Sequence, residues 1–398
     1  MVEPLIRFPE FKDALKERKF SDFTYAAGTR NKNNLPLEPY SITNIAGFVP
    51  QSEAHDEFGY MKDTDRSAYN IVKPYSFGYN PARINVGSLG YYSGDKDVIV
   101  SSLYEVFKTN DEVDDSFINY WFQTERFQNW IERLQEGSVR QYFYYDKLCE
   151  VRIALPSLEE QKKIADFLSS VDDVISACEK ELEHVKELKR GMLQKMFPKN
   201  DEKVPEIRFP GFTGDWEQRK LGDAVEVFDG THQTPKYQEY GVMFVSVENI
   251  QTLTSEKYIS EEDYEKNYSV VPQQGDILMT RIGDIGTANI VKSAEPLAYY
   301  VSLALLKNKG INAEFLKANI SAPSFQNELW IRTLHTAYPK KINKEEIGKC
   351  TISIAPSSEE RERIGTFFED LDKTITLHQR ELDKWKELKK GLLQQLFV

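Results

Sequence analysis

Two stretches of the sequence carry apolar residues at alternating steps of three and four positions, the spacing of a helix that packs along one side. In the first stretch they are Ile164, Leu168, Val171, Ile175, Cys178, Leu182, Val185, Met192 and Met196, interrupted by Lys189. In the second they are Ile364, Phe368, Leu371, Ile375, Leu382, Trp385, Leu392 and Leu396, interrupted by His378 and Lys389. Each stretch opens with a Pro followed by Ser-x-x-Glu, the capping-box pattern. The pattern predicts two helices of about 38 residues, each roughly 57 Å long.

The two helical stretches are copies of one another. Pro156–Phe197 aligns without a gap with Pro356–Phe397, and 18 of the 42 aligned positions are identical. The segments that open each half also match, Ile6-Arg7-Phe8-Pro9 with Ile207-Arg208-Phe209-Pro210. Shorter matches link the intervening sequences in the same order, which predicts a chain organised as domain, helix, domain, helix.

The repeat predicts an α+β fold in which two similar globular domains are joined by two long helices. We expect these helices to pair antiparallel as a coiled-coil spacer, with the halves related by a pseudo-two-fold repeat. The predicted limits are 1–155 for the first domain, 156–197 for the first helix, 198–206 for a linker, 207–355 for the second domain and 356–398 for the second helix. If each domain binds a short DNA sequence, a rigid spacer of this length can fix the distance between the two sequences, since one turn of DNA is about 34–36 Å long.

The composition and the net charge argue against several classes of protein. The three cysteines, Cys149, Cys178 and Cys350, lack metal-ligand spacing and are expected to be thiols in a reducing cytoplasm. The N-terminal sequence lacks a signal-peptide pattern, and no apolar run approaches the roughly 20 residues of a membrane helix. The net charge is −12, whereas a protein that holds nucleic acid unaided usually has a basic excess. The charge argues against a self-sufficient DNA binder and permits one whose partners neutralise the phosphates.

Recognisable catalytic patterns are missing from the sequence. It contains no glycine loop of the dinucleotide-binding type, no nucleophile elbow, no zinc-type histidine spacing and no phosphate-loop lysine. Tyr79-Asn80-Pro81-Ala82 only faintly resembles the Asn-Pro-Pro-Tyr motif of amino-methyltransferases, because the second proline and the final aromatic are missing. We expect no catalytic residue, metal or cofactor in this chain.

The loops of both domains carry side chains that can read bases. Arg and Lys address guanine, Asn and Gln address adenine, and Thr can bond several base edges. The candidates in the first domain are Arg30, Asn31, Lys32, Asn44, Tyr79, Asn80, Arg83, Asn85, Arg140 and Tyr142. Those in the second domain are Thr231, His232, Gln233, Thr234, Tyr237, Asn249, Arg281, Asp284, Lys340 and Lys341. Ordinary turns use the same residue types, and that alternative stays open for each residue.

The layout and the motifs resemble the specificity subunits of Type I restriction–modification systems. The resemblance rests on LPSLEEQKKIADFLSSVDDVI and its copy, and on GTHQTP, FVSVENI and GDILMTRIGDIG within Gly230–Gly286; it covers essentially the whole chain. It implies a non-catalytic cytoplasmic subunit with two target-recognition domains, each reading one half of an asymmetric, bipartite site in double-stranded DNA. The helices then set the gap and dock two methyltransferase subunits that carry S-adenosylmethionine, while restriction subunits use ATP and Mg²⁺.

Two other function classes stay open at this point. A coiled-coil scaffold with two protein-binding domains agrees with the acidic charge, although the paired polar loops oppose it. A free-standing DNA methyltransferase requires that the isolated chain bind a methyl donor. Footprinting of the chain with a methyltransferase partner separates the specificity hypothesis from the scaffold.

Overall fold

The computed structural model describes residues 4–54, 65–137, 141–199 and 201–398. It forms two compact units, which we call the first unit (Met1–Cys178 with Glu381–Val398) and the second unit (Glu179–Arg380). Each unit contains one globular domain and parts of both long helices, because the unit limits fall within those helices. The predicted α+β class with two domains and two long helices is confirmed.

The first domain consists of short strands and helices followed by one long helix. Its strands are β1 (Lys16–Lys19), β2 (Thr24–Ala26), β3 (Thr29–Arg30), β4 (Pro39–Thr43), β5 (Gly47–Pro50), β6 (Asn70–Val72), β7 (Ser76–Tyr79), β8 (Leu89–Tyr92), β9 (Val98–Val100), β10 (Glu105–Thr109) and β11 (Arg152–Leu155). Its helices are α1 (Gln51–Ala54), α2 (Asp115–Trp121), α3 (Glu125–Leu134), α4 (Tyr145–Glu150) and the long α5 (Leu158–Met196). The strands form sheets in the orders β2-β10-β7-β8, β3-β6-β9-β4-β5 and β1-β11.

The second domain repeats this plan with fewer strands among the described residues. Its strands are β12 (Glu217–Lys220), β13 (Val225–Asp229), β14 (Val242–Val245), β15 (Tyr258–Ile259), β16 (Ile277–Ile282), β17 (Asp284–Ile290), β18 (Leu297–Tyr299), β19 (Leu303–Asn308) and β20 (Thr351–Ile354). Its helices are α6 (Leu221–Ala224), α7 (Glu261–Asn267), α8 (Ala313–Ser321), α9 (Pro323–Arg332), α10 (Lys344–Gly348) and the long α11 (Ser358–Leu396). The sheet orders are β13-β19-β16-β17, β15-β14-β18 and β12-β20.

The two domains share one topology. The four-stranded sheets have the same strand order, and the parallel pair β4–β9 of the first domain matches the parallel pair β14–β18 of the second. When Gly28 and Gly230 are aligned, the ladders of the four-stranded sheets equate Tyr79 with Thr280 and Glu105 with Leu303. The same structural position can therefore be compared between the domains residue by residue.

Each domain core is completed by the end of the long helix that follows the other domain. In the first unit, Leu393, Leu396 and Phe397 join the aromatic core beneath the four-stranded sheet, and the rings of Phe117 and Phe397 lie 4.9 Å apart. In the second unit, Leu193, Met196 and Phe197 pack in one cluster with buried aromatic residues of the second domain. Burial of these apolar ends makes each helix pair part of a domain core.

The N-terminus of each long helix is fixed by a buried ion pair. The Glu160 N–H donates to Ser157 Oγ, as the capping-box pattern predicts. In a full capping box the Glu160 carboxylate would also accept from the backbone N–H of Ser157. Here it accepts two hydrogen bonds from Arg7 instead, at 2.7 and 2.8 Å. Arg208 and Glu360 repeat this arrangement at 2.6 and 2.8 Å. The repeated Ile-Arg-Phe-Pro segments thus supply the arginines that pair with the helix-capping glutamates.

The two lysines that interrupt the apolar seams form ion pairs between the helices. In the second unit, Lys189 of α5 lies 2.5 Å from Asp372 of α11, which Lys317 also contacts at 2.8 Å. In the first unit, Lys389 of α11 lies 2.7 Å from Asp172 of α5. Within each unit the C-terminal part of one helix therefore packs along the N-terminal half of the other, which is the predicted antiparallel pairing.

Replacing Asp372 by asparagine is expected to destabilise the second unit by about 2 kcal/mol at pH 7, since a charged hydrogen-bonded pair is lost. Burial alone raises the pKa of Asp372, but the ammonium groups of Lys317 and Lys189 outweigh it and hold the pKa below 3.8. A carboxyl with a depressed folded-state pKa stabilises above its unfolded pKa and loses this effect as the pH falls through the folded pKa. In urea denaturation, the difference between wild type and variant should therefore shrink below about pH 4.

The matched control for this prediction is Asp370→Asn on the same helix, because Asp370 is exposed and lies 3.4 Å from the equally exposed Lys373. Its urea midpoint should stay at the wild-type value. Equal effects of the two substitutions would show that the contact of Asp372 with its two lysines contributes no stability.

Candidate functional site

In both domains, most of the predicted base-reading residues lie at one end of the four-stranded sheet. In the first domain this end carries the loop after β2, the segment Ser101–Tyr104 before β10, the loop after β7, and the antiparallel bridge between Glu136 and Tyr142. In the second domain the equivalent places are the loop after β13, the segment before β19, the turn after β16, and the hairpin closed by the Leu334–Lys341 bridge. We call these two places the reading edges.

The reading edge of the first domain contains an open cleft of about 790 Å³. Four predicted residues line it together: Asn80, Arg83, Asn85 and Tyr142. The turn that carries the first three is held by hydrogen bonds from Arg83 N–H to the Asn80 carbonyl and from Phe143 N–H to the Pro81 carbonyl. The backbone thus brings two segments about sixty residues apart into one site.

The other candidates of the first domain differ in exposure. Arg30, Lys32 and Asn44 are exposed, and the Arg30 guanidinium donates to the Ala68 carbonyl. Asn31 is buried, and its side chain closes a turn by bonding both the N–H and the carbonyl of Leu35. Tyr79 is also buried; burial, followed by the charge of Glu105, raises the pKa of its hydroxyl. Arg140 lies outside the described residues.

Arg281 is a buried residue whose side chain connects the segments of the second reading edge. Its side chain is only 5% exposed, lies 2.7 Å from the Asp229 carboxylate, and donates to the carbonyls of Val301 and Ile342. These partners belong to the strand before Gly230, the segment before β19, and the end of the hairpin. The guanidinium therefore ties three loops together and does not reach the surface in this structure.

The remaining candidates of the second domain form its outer layer. His232, Gln233, Thr234, Tyr237, Asp284, Lys340 and Lys341 are exposed, whereas Thr231 and Asn249 are half-buried. Thr231 N–H donates to the Tyr299 carbonyl, and Gly283 N–H donates to the Lys340 carbonyl, so these loops are joined edge to edge. Asn249 caps its own turn by accepting from Ser246 N–H.

Sequence reasoning missed several residues that line the reading edges. In the first domain these are Glu105 and Tyr144, and the Tyr144 ring stacks on Tyr142 with centroids 5.5 Å apart and planes within 5°. In the second domain Trp330 is exposed, and Lys340 Nζ lies 4.8 Å from its ring centre. The aromatic run Tyr142-Phe143-Tyr144-Tyr145 and the Tyr-Pro-Lys-Lys sequence indicate aromatic side chains in these loops, but the residues beside them come from distant segments.

Among the described residues, no group of three or more His, Cys, Asp or Glu side chains is placed to hold a metal ion. In the same part of the chain, no helix combines the length and the apolar character that crossing a membrane requires.

Known proteins are similar to this chain in sequence and in fold. A family model described as the Type I restriction modification DNA specificity domain matches residues 50–187 and 213–387. The specificity subunit of the Type I restriction enzyme MjaVIII from Methanocaldococcus jannaschii is 25% identical over 331 residues, which cover 79% of this chain and 76% of that protein.

The solved structures agree with this at the level of the fold. The S subunit of a Type I restriction–modification system from M. genitalium superimposes with a TM-score of 0.62 at 16% identity, over 100% of this chain and 99% of that one. A chain of another type I R-M system gives 0.59 at 15% identity, over 97% and 98% of the respective chains. Because the two family matches together cover most of the sequence, this chain belongs to the family of Type I restriction modification DNA specificity domains, and its role is DNA recognition.

Proposed function

We propose that the chain is a non-catalytic cytoplasmic subunit in which each globular domain reads one half of an asymmetric, bipartite target in double-stranded DNA. The paired helices α5 and α11 fix the gap between the half-targets and dock two methyltransferase subunits. Those subunits carry S-adenosylmethionine, and restriction subunits that use ATP and Mg²⁺ complete the nuclease. In the proposed complex, this chain contributes sequence discrimination and the partners contribute the chemistry.

The observation that carries the proposal is the pair of reading edges, which share one backbone plan and differ in side chains. Exposed Arg83 and Asn85 stand in the first domain, where the second presents Asp284 with Lys340 and Lys341. Guanidinium, amide and carboxylate groups prefer different bases in the major groove. Two copies of one scaffold with different readers are suited to two different short sequences in one target.

The acidic charge fits a division of labour between subunits. With a net charge of −12, the chain has no excess of cations to neutralise phosphates, although such contacts dominate the affinity of most DNA-binding proteins. Base contacts specify a sequence without supplying most of the affinity. The proposed methyltransferase subunits therefore provide the backbone contacts, and we expect the isolated chain to bind DNA weakly.

Exchanging Leu5–Ala154 for the equivalent domain of a relative is expected to change one half-target and leave the other half and the gap unchanged. The complex is reconstituted with the methyltransferase subunits of this system, and methylated positions are mapped by sequencing. The chimaera must keep the contact between Phe117 and Phe397, so the residues around Phe117 are retained from this chain.

The reciprocal exchange of the second domain is the matched control, since it should change only the other half-target. If both chimaeras recognise the wild-type target, or if one exchange changes both half-targets at once, the modular proposal is contradicted. The absence of any sequence-specific methylation by the wild-type complex would instead favour a scaffold without a DNA role.

A further inference from the structure

Glu105 is a half-buried carboxylate at the first reading edge. It begins β10, opposite Tyr79 in the ladder, and lines the cleft of the first reading edge. Within the described residues its carboxylate makes no hydrogen bond or ion pair. Burial, and to a smaller degree the charge of Asp146, raises the pKa of Glu105. Burial of this charge therefore has a free-energy cost that no group among the described residues offsets.

The fold itself does not require this carboxylate. The equivalent residue in the second domain is Leu303, which is fully buried in the same position of the same four-stranded sheet. One copy of the scaffold therefore tolerates an apolar residue where the other places an acid. An uncompensated charge that the fold does not need is most simply explained by a ligand.

A cation, Arg83, lies in the same cleft. The Arg83 side chain is exposed, lines the cleft with Glu105, and has no side-chain hydrogen bond or ion pair among the described residues. Its backbone is held by the turn from Asn80 to Ser88, because the N–H groups of Val86 and Ser88 both donate to the Arg83 carbonyl. The guanidinium is therefore presented from a fixed backbone and is free to donate to a ligand. The second domain differs here too, since its Arg281 lies on β16 and forms an ion pair with Asp229.

The chemistry of these two groups selects the kind of DNA contact. A carboxylate repels phosphates, so Glu105 can face DNA favourably only where the DNA presents a hydrogen-bond donor. In the major groove a carboxylate accepts from the amino group of cytosine, and an arginine donates two hydrogen bonds to O6 and N7 of guanine. One G·C pair presents both partners on the same edge. The stacked rings of Tyr142 and Tyr144 form a flat wall beside them.

We propose that Glu105 and Arg83 together read one G·C base pair in the half-target of the first domain, Glu105 by accepting from cytosine and Arg83 by donating to guanine. This inference rests on the proposed function, in which the first domain reads its own half-target. The second domain lacks the pair, because the buried Leu303 occupies the position of Glu105 and Arg281, the arginine of its similar local sequence, is turned inward to Asp229. The two half-targets therefore differ in how this position is read.

The test uses the complex of this chain with its methyltransferase subunits and duplexes that carry the wild-type target. Each base pair of the first half-target is replaced in turn by the three others, and methylation rates are compared. The wild-type complex should prefer G·C at one position by about 5- to 150-fold, the discrimination that a good base contact provides. Glu105→Leu, which copies the second domain, should weaken the preference for G·C at that position only, because Arg83 still donates to the guanine. Glu105→Gln should admit adenine, since an amide can pair with adenine N6 and N7.

Glu112→Gln is the matched control, because Glu112 lies just beyond the other end of β10, is exposed and pairs with Arg18. It should leave every base preference unchanged. Unchanged preferences in both folded Glu105 variants would overturn the inference, as would a first half-target without any G·C pair. Both outcomes leave the bipartite methylation pattern of the wild-type complex intact, whereas loss of that pattern itself would contradict the proposed function.

Discussion

Replacing Arg208 by methionine is expected to lower the free energy of unfolding of the second unit by about 3–5 kcal/mol, the cost of breaking a buried ion pair from one side. The partner, Glu360, is fully buried and accepts two of the hydrogen bonds that Arg208 donates, the others going to the carbonyls of Thr213 and Gly214. Without the guanidinium, an acidic group stays in the protein interior at the N-terminus of α11. The expected loss corresponds to a rise of about 100-fold or more in the unfolded fraction.

Cys350 provides a measurement confined to the second unit. The three cysteines of the chain are Cys149, Cys178 and Cys350, and the first two belong to the first unit. Cys350 is completely buried, and burial raises the pKa of its thiol to about 12. In a background with serine at the other two positions, thiol labelling at increasing urea reports when the second unit opens.

Two comparisons make this prediction specific. Arg219→Met removes an exposed pair with Glu217 in the same unit and should not shift the labelling midpoint, since exposed pairs contribute little. Arg208→Met combined with Glu360→Met should recover most of the stability, because a buried pair replaced by apolar side chains leaves no uncompensated charge. A double variant as unstable as the single one would mean that the ion pair is not the source of the effect.

Replacing Arg281 by methionine is expected to reduce methylation of the wild-type target by about 100-fold or more. The guanidinium joins Asp229 to two backbone carbonyls on separate loops of the second reading edge. Its removal takes the donor away from the partly buried Asp229 carboxylate and from two backbone carbonyls, at a cost of about 3 kcal/mol or more, and releases the loops that it positions. Discrimination should fall in the half-target of the second domain and persist in the half-target of the first.

The measurement must separate misplaced loops from an unfolded domain. Methylation is assayed at a temperature at which Cys350 of the variant remains protected from labelling. Arg281→Lys keeps the charge but not the planar fork that serves three acceptors, and should give an intermediate loss. Equal loss of discrimination in both half-targets would argue against a role confined to the second reading edge.

The long helices were predictable because a strong apolar periodicity runs through each of them and no proline interrupts it, while Gly191, Gly365 and Gly391 leave the periodicity intact. The ion pairs of the interrupting lysines were not predictable, since Lys189 contacts Asp372 and Lys389 contacts Asp172 only when the helices pair antiparallel. The partners of the capping glutamates were not predictable either. Glu160 fits a local capping pattern, yet its carboxylate is taken by Arg7, 153 residues away.

The reading edges were predictable as loops and less so as individual side chains. Arg83 and Arg281 stand in similar local sequences, but the sheet register equates Tyr79 with Thr280, so the two arginines are not equivalent. Arg281 lies on β16 and turns toward Asp229, a partner 52 residues earlier. Glu105 gave no local signal, because its meaning depends on Arg83 and the tyrosines that the fold brings beside it. That these side chains contact DNA remains a prediction for every residue of both edges.

The most direct test of the proposed function is a map of methylated adenines produced by the wild-type complex of this chain with its methyltransferase subunits. The proposed arrangement predicts a single asymmetric target made of two short specific sequences separated by a gap of fixed length and free sequence. A continuous target, a symmetric one, or methylation without sequence preference would contradict the claim that the two domains read different halves of one DNA site.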